Sequence, residues 1–161
     1  MKKITFIILF VFFSCIEEKK DETKVTMVFR SEYDETIQLF FTDDEHPKFN
    51  NNNLLKKKVL GSRQYQRIVF EIPKKIKPRR FRIDLGEEKY TTSLYIKTIT
   101  IDFGSKQITI DDDTFDRYFS TNIYLKKEGR NRFERKLINR SYDPFIKSTP
   151  LLEKKMFIEF R

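Results

Sequence analysis

The chain has 161 residues, 39% apolar and 35% charged, with 33 basic against 24 acidic residues and a formal charge of +9. Its one cysteine excludes an internal disulfide framework or a thiolate metal centre. Its one histidine, His46, leaves Ser-His-Asp or Cys-His catalysis little support. The length suits one domain with a real core.

At the start, Lys2 and Lys3 precede an apolar run, Ile4 to Phe13, and then Ser14-Cys15. A basic end, a short apolar core and a small residue at the cut site form the pattern of a secretory signal. The run falls short of the roughly 20 residues that a spanning helix needs. Phe12-Phe13-Ser14-Cys15 resembles the lipobox of bacterial lipoproteins, although Phe12 departs from the usual aliphatic residue. That resemblance implies loss of residues 1–14 and diacylation of Cys15. It also implies an outer-membrane lipid anchor with the protein facing periplasm or surface, since Ile16 rather than Asp follows the cysteine. An ordinary signal with a chance cysteine is the alternative, and no second cysteine exists to pair with it. Residues 15–23 then form a charged tether, and residues 24–161 form the domain.

The period after the tether is mostly two, which predicts strands. Val25, Met27 and Phe29 alternate, then Ile37, Leu39 and Phe41, with a hairpin expected at Ser31–Glu35. Asp43–Asn53 is a loop by composition, rich in Asp and Asn, which favour turns. Leu55–Leu60 reads as a lysine-rich edge strand. Ile68, Phe70 and Ile72 share one face of the next strand, and Phe81, Ile83 and Leu85 one face of another, across a basic Pro73–Pro78 connector. In Leu94–Phe103 the apolar parity changes near Lys97-Thr98, which predicts a β-bulge or a strand passing between sheets. A hairpin follows through Gly104-Ser105 to Gln107–Ile110. Asp111–Thr114 before Phe115–Phe119 predicts a short capped helix. A strand is expected over Asn122–Leu125. Lys126–Arg140 is too basic to be core throughout. Met156, Ile158 and Phe160 predict a closing strand. The sum is an all-β, antiparallel two-sheet sandwich with one short helix.

Basic charge is concentrated at Lys56–Arg82, where eleven Lys and Arg stand against one acid, Glu71. Such patches suit anionic partners, although solvated strand faces and protective edge lysines use the same residues. The order Tyr65-Gln66, Phe70-Glu71-Ile72-Pro73, Phe81–Gly86 and Ile96–Ile99 resembles the jelly-roll-like, carbohydrate-binding-like β-sandwich domains of bacterial surface-polysaccharide proteins. The resemblance implies a glycan-associated role. It assigns no ligand residues; the basic patch at Arg79, Arg80 and Arg82, the loop Asp43–Asn53 and, by composition, tyrosines such as Tyr65 and Tyr95 are the candidates. The expected protein is a non-catalytic lipoprotein without a cofactor, meeting the membrane through its anchor. Its partner is an anionic glycan or, alternatively, an envelope protein, and not nucleic acid. An envelope hydrolase ranks last, because no carboxylate pair is singled out. Asp111, Asp113 and Asp116 carry an alternative Ca2+ reading, which competes with acids placed to meet a helix dipole.

Overall fold

The computed structural model describes residues 22–74, 76–89 and 91–160. The expected signal, Cys15 and all of the expected tether but residues 22 and 23 lie outside the described residues.

Two antiparallel sheets face each other. The first runs β4 (Gln66–Ile72), β1 (Thr23–Arg30), β6 (Leu94–Phe103), β10 (Arg132–Arg135), β9 (Leu125–Lys127), with β7 (Lys106–Ile110) also on β6. The second runs β3 (Leu54–Val59), β2 (Glu35–Thr42), β5 (Arg80–Leu85), β11 (Phe145–Ser148), β8 (Phe119–Thr121). The inward residues are the alternating sets read from the sequence: Val25, Met27, Phe29, Phe70, Ile99 and Ile101 meet Ile37, Leu39, Phe41, Phe81, Ile83 and Leu85. Each fully buried side chain of this kind stabilises the fold by about 1.5–3 kcal/mol.

The parity change in β6 is a bulge. Val28 faces Thr98 but Phe29 faces Ile96, so Lys97 is the extra residue and stands exposed. This lets Leu94 and Ile96 share the core with Ile99, Ile101 and Phe103. The lysine-rich β3 is an edge strand, as expected.

Three expectations need correction. Ser31–Glu35 is not a hairpin: β1 is flanked on both sides by β4 and β6, so β2 has no edge to join and crosses to the second sheet. The chain closes as helix α2 (Pro150–Glu159), not as a strand; Thr149 caps it, Pro150 opens it, and Leu152 and Met156 bury one face. Asn122–Tyr124 turns between β8 and β9, with the Leu125 N–H donating to the Asn122 carbonyl. Lys126–Arg140 is mostly outside the core, as expected: β9 and β10 pair within it, and of its side chains Phe133 and Arg135 are buried.

The expected helix α1 (Asp112–Tyr118) carries a reciprocal cap between Asp111 and Thr114. Its Phe115 ring lies 4.8 Å from Phe133 and 5.9 Å from Phe119, closing that side of the core.

Candidate ligand-binding site

The register of the first sheet places Arg30 opposite Tyr95, and Tyr95 opposite Arg132. All three point outward, because Phe29, Leu94 and Phe133 beside them point into the core. The Arg30 guanidinium lies 3.9 Å from the Tyr95 ring centre and 5.6 Å from that of Tyr65. The Lys97 ammonium lies 5.7 Å from the Tyr65 ring centre. Cations and aromatic rings thus alternate across the strands. Stacking of this kind orients a planar guanidinium without using its N–H donors.

Beside this row is a shallow pocket of about 380 Å3. Thr91, Thr92 and Ser93 supply hydroxyls; Arg30, Tyr95 and Arg132 form a wall, and Glu32 and Glu134 stand at the rim. Arg132 Nε donates to Ser93 Oγ at 3.1 Å. Arg30 Nε is buried and has no hydrogen-bond partner among the described residues. A buried donor left unpaired is costly.

The pocket wall is held from inside. Arg135 donates from Nε to the Thr92 carbonyl at 3.0 Å and from Nη2 to Thr92 Oγ1 at 2.9 Å. Its Nη1 reaches Glu35 at 2.5 Å and the Leu85 carbonyl at 3.1 Å. Arg135 and Glu35 are both buried, one on each sheet. Burial pushes the Glu35 carboxyl up, while the Arg135 charge and hydrogen bond pull it back without cancelling the rise. Burial likewise pushes the neighbouring Tyr142 hydroxyl up to about 12. Gly86, at φ +113°, is required here: a Cβ would press on the Glu35 carboxylate and lie 2.9 Å from Arg135 Nη1.

The candidate residues separate into distinct places. Tyr65 and Tyr95 meet around Arg30. Arg80 and Arg82 stand on the outer face of the second sheet, and their donors are engaged. Arg82 forks onto Asp84 at 2.6 and 2.9 Å, reaches Asp143 at 2.8 Å, and lies 3.9 Å over Phe145. Arg80 donates to the Pro47 carbonyl and to Thr42 Oγ1. Arg79 forks onto Asp44 at 2.9 Å in both bonds, and that hydrogen-bonded pairing holds the Asp44 carboxyl below its ordinary range.

The acidic helix start does not converge on one ion. Asp111 is taken by Thr114, whose hydroxyl and N–H hydrogen bonds lower its carboxyl. Asp116 meets Lys127 at 3.1 Å and Asp113 meets Arg130 at 3.8 Å. Burial works to raise Asp112, but the Asn131 N–H and Lys127 bring it below the ordinary value. Among the described residues no group of three or more His, Cys, Asp or Glu could hold a metal ion. His46 sits on Asp43 at 3.1 Å, inside its own loop.

Arg30, Arg132 and Thr91–Ser93 were not marked by any local motif. Arg30 ends one strand and Arg132 opens another 102 positions later; only the register joins them. Comparison with protein-family models and with curated proteins gives no match for this chain.

Proposed function

We propose that this is a non-catalytic, lipid-anchored protein of the bacterial cell envelope that binds an acidic glycan on the outer face of its first sheet. The observation that carries the binding reading is Arg30, stacked on Tyr95 and lining the hydroxyl-rich pocket. A uronate or phosphate oxygen would meet the outward-facing Arg30 guanidinium, and Arg132 would meet a second acidic oxygen. Thr91, Thr92 and Ser93 suit sugar hydroxyls, and the half-exposed Tyr65 offers a ring beside Arg30. Glu32 and Glu134 at the rim would accept hydrogen bonds from sugar hydroxyls and disfavour densely charged polyanions such as nucleic acid. The anchor reading is supported by the lipobox-like Phe12–Cys15 and by the charged tether that follows.

Affinity electrophoresis through gels containing polygalacturonate, alginate or a neutral glucan tests the binding reading. Wild-type protein should be retarded by the acidic gels, and Arg30→Ala should run as in a blank gel. Equal mobility of wild type in every gel would remove the proposal. For the anchor, Cys15→Ser should lose palmitate label and leave the membrane fraction.

A further inference from the structure

We infer that the end of the sandwich bearing helix α2 docks on an anionic lipid surface, an inference that rests on the Cys15 anchor reading. Helix α2 is apolar on two sides. Leu152 and Met156 face the core, while Leu151, Phe157 and Ile158 remain 45%, 49% and 54% exposed. A satisfied surface helix carries polar residues on its outer side. The outer apolar residues here alternate with Lys154, and the adjoining connector adds Lys74 and Lys77. These three lysines are exposed and have no ion-pair partner among the described residues. The nearby acids are occupied: Glu159 by Lys155, Asp44 by Arg79, and Glu153 by the Ser148 hydroxyl at 3.3 Å. Apolar side chains flanked by unpaired lysines match the boundary between acidic headgroups and acyl chains.

The path of the chain selects lipid over other occupants. The Gly104 N–H meets the Glu22 carbonyl at 3.4 Å, and Thr23 pairs with Phe103. The Phe103 ring in turn stacks on Phe160 at the close of α2, with centres 5.4 Å apart. The tether therefore joins the domain beside α2. A small groove of about 150 Å3 between Pro78, Phe103, Met156 and Phe157 lies at the same end. Residues 15–21 span at most about 25 Å however they fold. A chain lipidated at Cys15 would hold this end, and not the Tyr33 end, against the bilayer. The Arg30 row stands at the far end of β1, where it would be presented away from the lipid.

The chain has no tryptophan, so one introduced residue is a clean reporter. Ile158→Trp and, as the distal control, Tyr33→Trp are made in the full-length chain. Each mature protein is extracted from membranes and reconstituted in vesicles of phosphatidylethanolamine and phosphatidylglycerol. Palmitate label is measured on the same samples. Trp at 158 should emit to the blue of Trp at 33 and be quenched severalfold more by bromine-labelled acyl chains. Reversing charge at Lys74, Lys77 and Lys154 together should reduce that quenching, as should replacing phosphatidylglycerol by phosphatidylcholine. Palmitate-labelled protein whose residue 158 stays as solvent-exposed as residue 33 overturns docking and leaves the anchor standing. Protein without label overturns the anchor and the docking with it. A blue shift that grows with protein concentration and ignores brominated lipid assigns the face to a second copy of the chain, and also overturns docking.

Discussion

On the first sheet Arg30 lies 3.9 Å from the ring centre of Tyr95; on the second sheet Arg82 lies 3.9 Å from that of Phe145. The stacking is the same, and both rings belong to outward-facing residues. What differs is the carboxylate. Arg82 has Asp84 beside it on its own strand and Asp143 across a turn, and both take its donors. Arg30 is opposed by Tyr95 and has neither. A basic and aromatic surface is thus not one kind of site. Where the sheet supplies the acid, the arginine ties strands together; where it does not, the arginine stacks on its ring without an ion-pair partner among the described residues.

Arg135 is the limit of the saturated case: from the first sheet it donates to Glu35 and the Leu85 carbonyl, both buried on the second, and to Thr92 in the loop before β6. Arg135→Ala should have the largest effect, about 3–5 kcal/mol lost, because it strands a buried carboxylate. Urea denaturation of Arg135→Ala and of the double variant Arg135→Met/Glu35→Leu tests this: the double variant should be markedly more stable than Arg135→Ala. The single variant should also lose glycan retardation, since Thr92 in the pocket wall hangs on Arg135.

Next in size is the contrast between the two stacked arginines. Arg30→Ala should weaken binding of an acidic oligosaccharide about 10- to 100-fold, in keeping with about 1.5–3 kcal/mol for a hydrogen bond to a charged group. Its stability should stay within about 0.5 kcal/mol of wild type. Arg82→Ala should do the opposite. It should leave affinity unchanged and cost about 1 kcal/mol of stability, since its network is partly exposed. Calorimetric titration beside urea melts separates the two, and a loss of affinity in Arg82→Ala would break the distinction. A smaller effect should follow from removing the acids instead. Asp84→Asn/Asp143→Asn frees the Arg82 fork and should add weak retardation in acidic gels to an Arg30→Ala background.

Why the sequence disclosed one of these surfaces and not the other follows from distance along the chain. Arg80 and Arg82 lie in a single alternating strand, so their outward direction could be read from Phe81 and Ile83. The bulge at Lys97 was equally legible, because parity within β6 records it. The Arg30–Tyr95–Arg132 row exists only through pairing between distant strands, which no local pattern encodes. Nor could the sequence show that Asp143 would reach Arg82, 61 positions away. Helix α2 was misread for a different reason. Met156, Ile158 and Phe160 satisfy a period of two, yet Thr149-Pro150 and the Leu152–Met156 spacing are helix signals, and the cap decides. The wrong period was favoured because the helix is apolar on its outer side as well.

The smallest effect concerns pH and distinguishes the two arginines without any change at either. Burial pushes the Asp84 carboxyl above its ordinary range, against the pull of the Arg82 guanidinium and with added repulsion from Asp143 and Glu87. The folded chain therefore takes up this proton at a higher pH than the unfolded chain, whose Asp ionises near pH 3.9. It follows that Asp84 favours the fold most below that ordinary value, and the contribution is lost as pH rises through the folded one. Other carboxylates shift in the opposite sense, Asp111 and Asp112 among them. Only the difference between wild type and Asp84→Asn isolates this group. Urea midpoints of the pair should diverge as pH rises above the ordinary Asp value, with wild type declining relative to the variant. In the same window, protonation of Asp84 loosens the hold on Arg82, so an Arg30→Ala protein should gain weak affinity for a sulfated oligosaccharide as pH falls. If that affinity is flat with pH while the midpoints diverge, Asp143 alone suffices to occupy Arg82. If the midpoints run parallel, Asp84 is not the acid that separates the two surfaces.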